Sequence, residues 1–334
     1  MADAVPVMAN RKDVKKKSYP KRFDAHQLMK NVVQSYLANK CLRITGEKAD
    51  ELISNLPTKW QKHGDVVLFP DSSFADPFWH ELPETFWQEI AQVHKVSRLG
   101  VMGKTVSNGF RQPTVILLYG KHGWTEHIDN HVRYSFDVTR TMFSSGNITE
   151  KLRVSKFDCT DQVVVDLYAG IGYYTLPYLV HTKARHVHAC EWNPDAVTAL
   201  RKGLAINKVS DRCTVYEGDN SKAGLENIAD RINLGLLPTS RDGWSVACIA
   251  LKPTGGFLHI HDSLNSKGQD RLLAEKNYTL QTISEIKQIL ADVKPNQAEW
   301  DVTALHLERV KSYAPHITHI VLDLHCVCNP LDNE

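Results

Sequence analysis

The sequence predicts an α/β protein, with a Rossmann-like, doubly wound sheet of seven mostly parallel strands and a smaller N-terminal α+β domain. The first observation is the run from Val163 to Gly172, where three valines, an aspartate and two glycines indicate a buried strand turning into a helix. The second is the alternation of strand-like and helix-like segments from about residue 157. The third is the short connection 308–316 between the last two apolar runs, which predicts an antiparallel final strand.

Length and charge divide the chain into three predicted parts. A chain of 334 residues favours more than one domain. We predict a basic disordered tail at 1–20, an α+β region at 21–157 and the large α/β domain at 158–334. The net charge is +2, but residues 11–22 carry seven cations and one acid, and the chain beyond them sums to −3. A nucleic-acid partner would therefore be held by local patches. For the tail, a solubilising role is favoured over a nucleic-acid arm or a localisation signal.

Cysteine usage and hydropathy predict a cytoplasmic protein. The seven cysteines form no C-x-x-C pair, which argues for a reducing compartment without disulfides or a zinc site. No apolar run is long enough to span a membrane and no secretory signal is visible, so no membrane partner is expected. His186 and His188, like His259 and His261, alternate on one strand face and could bind a metal. No suitably spaced third ligand is visible, so core positions are favoured and no metal is predicted.

The N-terminal region reads as a mixed helix and strand domain. Two short helices are predicted within 24–56, and strands at 66–69, 113–119 and 132–138. The segment 77–91 is rich in phenylalanine and tryptophan. We interpret this cluster as the core of a small domain; the alternative is a base-stacking platform.

The elements of the large domain follow in alternation. Strands are predicted at 162–167, 184–190, 212–217, 229–236, 255–261, 299–308 and 317–325, and helices near 173–182, 194–207, 221–227, 240–251 and 267–292.

The end of the first of these strands suggests a nucleoside site. Asp166 is followed by a glycine turn, and Glu191 ends the next strand, a spacing that suits the two hydroxyls of a ribose. The pattern is only G-x-G, because Thr175 stands where a third glycine would pack the helix against a dinucleotide pyrophosphate. A nucleoside without phosphates fits better, and S-adenosylmethionine is the leading candidate. The alternative is a glycine turn with no ligand.

Two further segments contain candidate ligand-binding residues. Asp219 and Asn220 follow the third strand, where an acceptor and a donor could bind adenine; alone, they would be interpreted as a turn. In the segment 142–153, Asn147 is a predicted helix N-cap. The cations at 151 and 153 in the first turns of that helix suggest an anionic partner, such as an amino-acid carboxylate. From spacing alone, a solvated helix start is the better interpretation.

Five runs together resemble a known family, the tRNA wybutosine-synthesising aminocarboxypropyltransferases: 142–153, 166–177, 191–196, 235–238 and 310–316. The resemblance extends from about Trp60 to the C-terminus. It implies the class I methyltransferase fold with S-adenosylmethionine as the group donor. These enzymes move the 3-amino-3-carboxypropyl group onto a tricyclic guanosine derivative. That base lies immediately 3′ of the anticodon in phenylalanine tRNA.

The resemblance also implies roles for individual residues. Ser144 and Lys151 would hold the methionine portion, Glu191 the ribose, and Asp219 with Asn220 the adenine. The region before residue 150 would help to grip tRNA. Arg153 is our candidate for a group near a substrate or cofactor carboxylate. The full predicted cofactor-binding set is Ser144, Lys151, Asp166, Tyr168, Ala169, Gly170, Gly172, Glu191, Trp192, Asp219 and Asn220.

Two other functions stay open at this stage. The related tRNA guanine-N1 methyltransferases carry Asn-Leu-Pro at the end of strand four, where this chain has Leu236-Leu237-Pro238. The missing asparagine favours aminocarboxypropyl transfer over methylation of a base nitrogen. The third possibility is a non-catalytic RNA-binding protein on the same scaffold.

Overall fold

The computed structural model describes residues 24–38, 44–103, 113–295 and 299–329. The predicted disordered tail at 1–20 lies outside the described residues. Within them, no helix combines the length and the apolar character that crossing a membrane requires.

The described residues of the N-terminal part form three α-helices and a four-stranded sheet. Its helices pack beside the sheet around an aromatic core that includes Trp79, Phe86 and Trp87, and this confirms the core interpretation of the segment 77–91. The helices are α1 (Ala25–Leu37), α2 (Gly46–Ser54) and α3 (Glu84–His94), and the strands, in spatial order, are β1 (Gln61–His63), β2 (Val66–Pro70), β3 (Arg98–Met102) and β4 (Val115–Tyr119).

A separate hairpin joins the two parts of the molecule. It consists of β5 (Trp124–Asp129) and β6 (Val132–Asp137). The Asn207 side chain bonds the backbone of Arg133 in both directions, accepting from its N–H at 3.0 Å and donating to its carbonyl at 2.6 Å. One apolar cluster runs from β2 through β6 into the large domain. The hairpin therefore packs on the large domain as well as on the N-terminal sheet.

The large domain has the predicted seven-stranded sheet with one reversed strand. The order is β12-β13-β11-β10-β7-β8-β9, and only β13 runs against its neighbours. Apolar residues of the central strands are fully buried, so burial of both faces specifies this core. The strands are β7 (Val163–Asp166), β8 (His186–Glu191), β9 (Cys213–Glu217), β10 (Arg231–Leu234), β11 (Gly255–Asn265), β12 (Glu299–Ala314) and β13 (Ile317–Asn329).

Helices cover the sheet, with one predicted helix missing. The segment 221–227 is not helical: it holds a single 3₁₀ turn, Asn220–Lys222, and Gly224 has a positive φ of 64°, which ends helical backbone. The connection 308–316 also differs, because β12 continues to Ala314 and the turn occupies only two residues. The helices are α4 (Ile148–Val154), α5 (Thr175–His181), α6 (Pro194–Ile206), α7 (Trp244–Ala250) and α8 (Arg271–Val293).

Candidate active site

Backbone hydrogen bonds tie together the loops that follow the central parallel strands. The N–H of Leu167 donates to Asn233 at 3.0 Å, that of Ala169 to Cys190 at 2.9 Å, and that of Gly218 to Glu191 at 2.9 Å. The ends of β7, β8, β9 and β10 therefore meet at one edge of the sheet. This is the edge at which ligands bind in open α/β sheets.

Glu191 lies at the centre of this edge. One carboxylate oxygen accepts the N–H of Gly170 at 2.7 Å and the other accepts the N–H of Asn193 at 2.8 Å. Burial raises the pKa of Glu191, although these two N–H groups and that of Trp192 oppose the shift. Three of the roughly four lone-pair sites of the carboxylate therefore accept backbone N–H groups, which leaves room for a ribose hydroxyl. The half-buried carboxylate can accept from the ribose while it anchors the glycine turn.

The glycine turn is present, but one reason for it differs from the prediction. Gly170 and Gly172 have positive φ values of 56° and 97°, which a sharp strand-to-helix turn requires. A Cβ at Gly172 would lie 2.8 Å from Leu176 and 3.0 Å from Leu200. Close packing of α5 and α6, rather than close approach of a ligand, thus excludes a side chain at Gly172.

Asp166 was predicted to face the cofactor, but its carboxylate is bound inside the protein. Its side chain is fully buried, accepting from the Thr175 hydroxyl at 2.7 Å and from the Asn233 amide at 3.0 Å. Burial raises the pKa of Asp166. Thr175, in place of a third glycine, thus joins α5 to the ends of β7 and β10 through this carboxylate. The geometry supports an organising role for Asp166, and its contact with a cofactor stays a prediction.

The residues predicted to bind adenine lie next to Glu191. Asp219 is exposed and accepts from the backbone and hydroxyl of Ser221 at 2.9 and 2.8 Å, so it also makes the turn that was the alternative interpretation. The Asn220 amide donates to the Leu167 carbonyl at 3.1 Å, close to Tyr168. The side chain of Trp192 is 54% exposed beside Glu191. The structure thus brings these residues to one edge, as predicted.

Lys151 has an internal partner that the sequence did not indicate. Its ammonium forms an ion pair with Asp129 on β5 and lies 4.9 Å from the centre of the Phe143 ring. Lys151 is 2% exposed, and this burial lowers its pKa although Asp129 opposes the shift. Ser144 lies nearby, its N–H 3.4 Å from the Tyr173 hydroxyl. The predicted contact of both residues with the methionine portion stays a prediction.

The Arg153 guanidinium already binds two carboxylates of the protein, and its predicted role near a substrate or cofactor carboxylate stays a prediction. Its guanidinium makes two 2.8 Å bonds to Glu150 and also binds Asp323 on β13. These carboxylates are buried and neutralise the cation inside the protein. Asn147 departs from prediction, because its side chain makes no cap hydrogen bond.

The histidines considered as metal ligands have other partners. His259 contacts Asp323 at 2.6 Å and Arg231 at 2.7 Å, and His261 contacts His319 at 3.1 Å. The described residues contain no group of three or more metal-binding side chains.

A cavity of about 730 Å³ lies next to the loop that follows β10. Elements far apart in the sequence form its walls: β1 and β6 of the N-terminal half, the turn at 144–147, the loop after β10, and β12. Its walls are mainly apolar, with a few polar groups between them. Residues that define it include His63, Phe136, Ser144, Leu237, Lys311 and Tyr313.

His63 in this cavity wall makes the stability pH-dependent. Burial, together with the nearby His127, lowers the pKa of His63 to about 4. The unfolded chain therefore binds a proton at this residue below about pH 6.5 while the folded protein does not, and stability falls as the pH falls. We expect His63→Phe to remove a loss of up to ~2 kcal/mol between about pH 7.5 and about pH 5. Urea unfolding of both proteins at the two pH values measures this loss of stability. An equal loss in the unchanged protein and in His63→Phe would contradict the prediction.

Comparison with known proteins gives consistent matches over most of the chain. Residues 125–310 match the family model described as the TRM5/TYW2 methyltransferase domain, and residues 42–123 match the TYW2 N-terminal domain. The chain is 46% identical over 325 residues to "tRNA wybutosine-synthesizing protein 2 homolog" of Danio rerio, covering 90% of this chain and 78% of that protein. The human homolog is 45% identical over 317 residues, covering 83% and 71%.

Solved structures agree with these matches. The crystal structure of P. horikoshii TYW2 in complex with MeSAdo is 30% identical, has a TM-score of 0.67, and aligns with 89% of this chain and 99% of that one. M. jannaschii TYW2 in complex with AdoMet is 26% identical with a TM-score of 0.61, over 81% and 100% of the two chains.

Proposed function

This chain belongs to the TRM5/TYW2 family, and from that premise we propose that its acceptor is the tricyclic modified guanosine immediately 3′ of the anticodon in phenylalanine tRNA. The chain is a transferase of wybutosine synthesis that uses S-adenosylmethionine as donor of the 3-amino-3-carboxypropyl group. The observation that carries the proposal is the position of the cavity. It is lined by Ser144 of the predicted donor site and by the loop after β10, and it has room for a flipped-out base.

The residues at the edge fit the donor. The half-buried Glu191 carboxylate keeps room for a ribose hydroxyl, and Asp219 with Asn220 offers an acceptor and an amide beside it. Trp192 presents an exposed ring next to Glu191, where it can cover the adenine. Ser144 is fixed near Tyr173, on the cavity side of the glycine turn. Ser144 and Lys151 hold the methionine portion in this proposal.

Catalysis in this proposal depends mainly on positioning. When bound, S-adenosylmethionine supplies an electrophilic γ-carbon: its bond to sulfur breaks, a bond to a base carbon forms, 5′-methylthioadenosine leaves, and the base carbon loses its proton. The protein must hide the less hindered methyl group and aim the γ-carbon at the cavity. Orientation of this kind can lower a barrier by on the order of 7–11 kcal/mol. The apolar cavity wall, including Phe136 and Leu237, keeps water from the reacting carbon.

The remaining partner and domain predictions complete the proposal. Residues 21–157 form the part that helps to grip tRNA, and 158–334 the part that binds S-adenosylmethionine. The small net charge of +2 means that local cations, rather than the overall charge, bind the tRNA. The protein acts in the cytoplasm.

Nucleoside mass spectrometry tests this function. The protein is incubated with S-adenosylmethionine and phenylalanine tRNA that carries the tricyclic base. We expect an aminocarboxypropyl adduct on that nucleoside and none on a matched tRNA with unmodified guanosine at the same position. A methyl adduct on the unmodified guanosine would instead identify a guanine-N1 methyltransferase. No adduct on either tRNA would favour a binding protein.

A further inference from the structure

Lys311 lines one wall of the cavity, where its side chain lies against a glycine, Gly146. It lies on β12, and its ammonium occupies space beside Gly146: a Cβ on Gly146 would lie 2.2 Å from the Lys311 nitrogen. Any side chain at position 146 would therefore displace the lysine. The turn at 144–147 and β12 are thus fitted to each other so that this cation reaches the cavity.

The ammonium of Lys311 has no carboxylate partner within 4 Å among residues 24–38, 44–103, 113–295 and 299–329. The Lys311 nitrogen lies 4.5 Å from the centre of the Tyr313 ring. The residue opposite Lys311 on β13 is His319, whose ring stacks against Tyr313 with the ring centres 6.1 Å apart. Other cations nearby are already neutralised, Lys151 by Asp129 and Arg153 by Glu150 and Asp323. A half-buried cation without a counter-ion favours binding of an anion.

Tyr313, two residues after Lys311, adds an aromatic ring to the same wall of the cavity. Tyr313 lines the cavity and is 48% exposed, beside Lys311 on the same strand end. A cation next to an exposed ring suits a nucleotide, whose phosphate pairs with the cation and whose base stacks on the ring. Lys311 and Tyr313 are also near the turn of the β12–β13 hairpin, where the exposed residues 312–316 leave an open approach for RNA.

From these observations we propose that Lys311 binds a phosphate next to the acceptor base and that Tyr313 stacks on the acceptor nucleotide or its neighbour. This inference rests on the proposed function and adds the residues that hold the RNA end of the reaction. An anionic oxygen in this cavity could also belong to the donor carboxylate. The exposed ring beside the cation favours the RNA phosphate, and the experiment below separates the two sources.

The experiment measures tRNA affinity as a function of salt and donor affinity in parallel. We expect Lys311→Met to weaken binding of the modified phenylalanine tRNA by roughly 10-fold or more, the effect of losing one hydrogen bond to a charged group. The slope of log affinity against log salt should shrink by ~0.7–1, because one phosphate contact is lost. Affinity for S-adenosylmethionine, measured by calorimetry, should change less than about twofold, and Lys311→Arg should restore most of the tRNA affinity.

Two further variants sharpen the result. Tyr313→Leu should weaken tRNA binding by roughly 5- to 150-fold without changing the salt slope, because stacking carries no charge. Lys183→Met is the matched control: Lys183 is exposed just before β8, at the opposite end of the sheet, and its loss should leave tRNA affinity within about twofold. Thermal unfolding of each variant checks that the fold is intact.

Several outcomes would overturn the inference. If Lys311→Met weakens binding of S-adenosylmethionine and leaves the salt dependence of tRNA binding unchanged, the cation binds the donor carboxylate. If neither affinity changes, Lys311 has no ligand. Failure of the proposed function gives a different signature, since the unchanged protein would then leave the tricyclic nucleoside without an aminocarboxypropyl adduct.

Discussion

We expect Asp323→Ala to lower the free energy of unfolding by about 3–5 kcal/mol, the cost of leaving a buried charge without its partner. Asp323 is 6% exposed on β13, where it binds Arg153 and lies 2.6 Å from His259. Burial would raise the pKa of Asp323, but His259 and Arg153 lower it below its usual range. Without this carboxylate, the guanidinium of Arg153 keeps only Glu150 as an anionic partner.

Urea unfolding at neutral pH measures the loss, and Asp301→Ala is the matched control. Asp301 lies on the neighbouring strand β12 and forms an ion pair with Lys287 at 3.4 Å, with its side chain 58% exposed. Exposed pairs contribute little, so the control should change stability by less than ~1 kcal/mol. A loss in Asp323→Ala as small as in the control would show that water replaces the carboxylate.

The sequence was misleading about the two cations of α4. The prediction placed them in the first turns of a longer helix, where they indicated an anionic partner; in the structure they lie in the last turn of α4, and both have an anionic partner. The partners are the protein's own carboxylates: Asp129 for Lys151, 22 residues away, and for Arg153 both Glu150, three residues away, and Asp323, 170 residues away. Only the pairing with Glu150 is local, and no local pattern contains the other two. Only the tertiary structure decides whether a cation faces a ligand or the core.

The large sheet was predictable because its signals are local. The valines of β7 show a strand buried on both faces, and the short connection before β13 requires an antiparallel return. Three strands, β1, β3 and β5, were missed. β3 is interrupted by Gly100 and begins with Arg98, and its pairing with β2 is parallel, which depends on distant contacts. α3 was missed because its aromatic residues identified a core without revealing its helical period.

The candidate site was predictable only in part. Parallel strands place their carboxyl ends at one edge, so Glu191 and Asp219 could be brought together from sequence alone. The cavity could not be predicted, because its walls come from elements far apart in the sequence: β1, the turn at 144–147 and β12. Lys311 and Gly146 are in contact although they are 165 residues apart in the sequence, so no local pattern could indicate this contact.

We expect Glu191→Ala to weaken binding of S-adenosylmethionine and of 5′-methylthioadenosine alike, by roughly 5- to 150-fold. Both ligands carry the ribose, and loss of the carboxylate leaves its hydroxyls without an acceptor. The matched control is Glu217→Ala. Glu217 is the register partner of Glu191 on β9 but is exposed, with Arg201 at 3.4 Å. Its loss should change neither affinity by more than about twofold.

A ligand without the ribose hydroxyls separates direct contact from an indirect effect on the glycine turn, since Glu191 also accepts from Gly170 and Asn193. The dideoxy form of 5′-methylthioadenosine is titrated against the unchanged protein and Glu191→Ala. If the carboxylate binds the hydroxyls, removing both partners costs no more than removing one, because the two changes delete the same hydrogen bonds. Additive losses would mean that Glu191 only anchors the turn, and unchanged affinity in Glu191→Ala would remove it from the site.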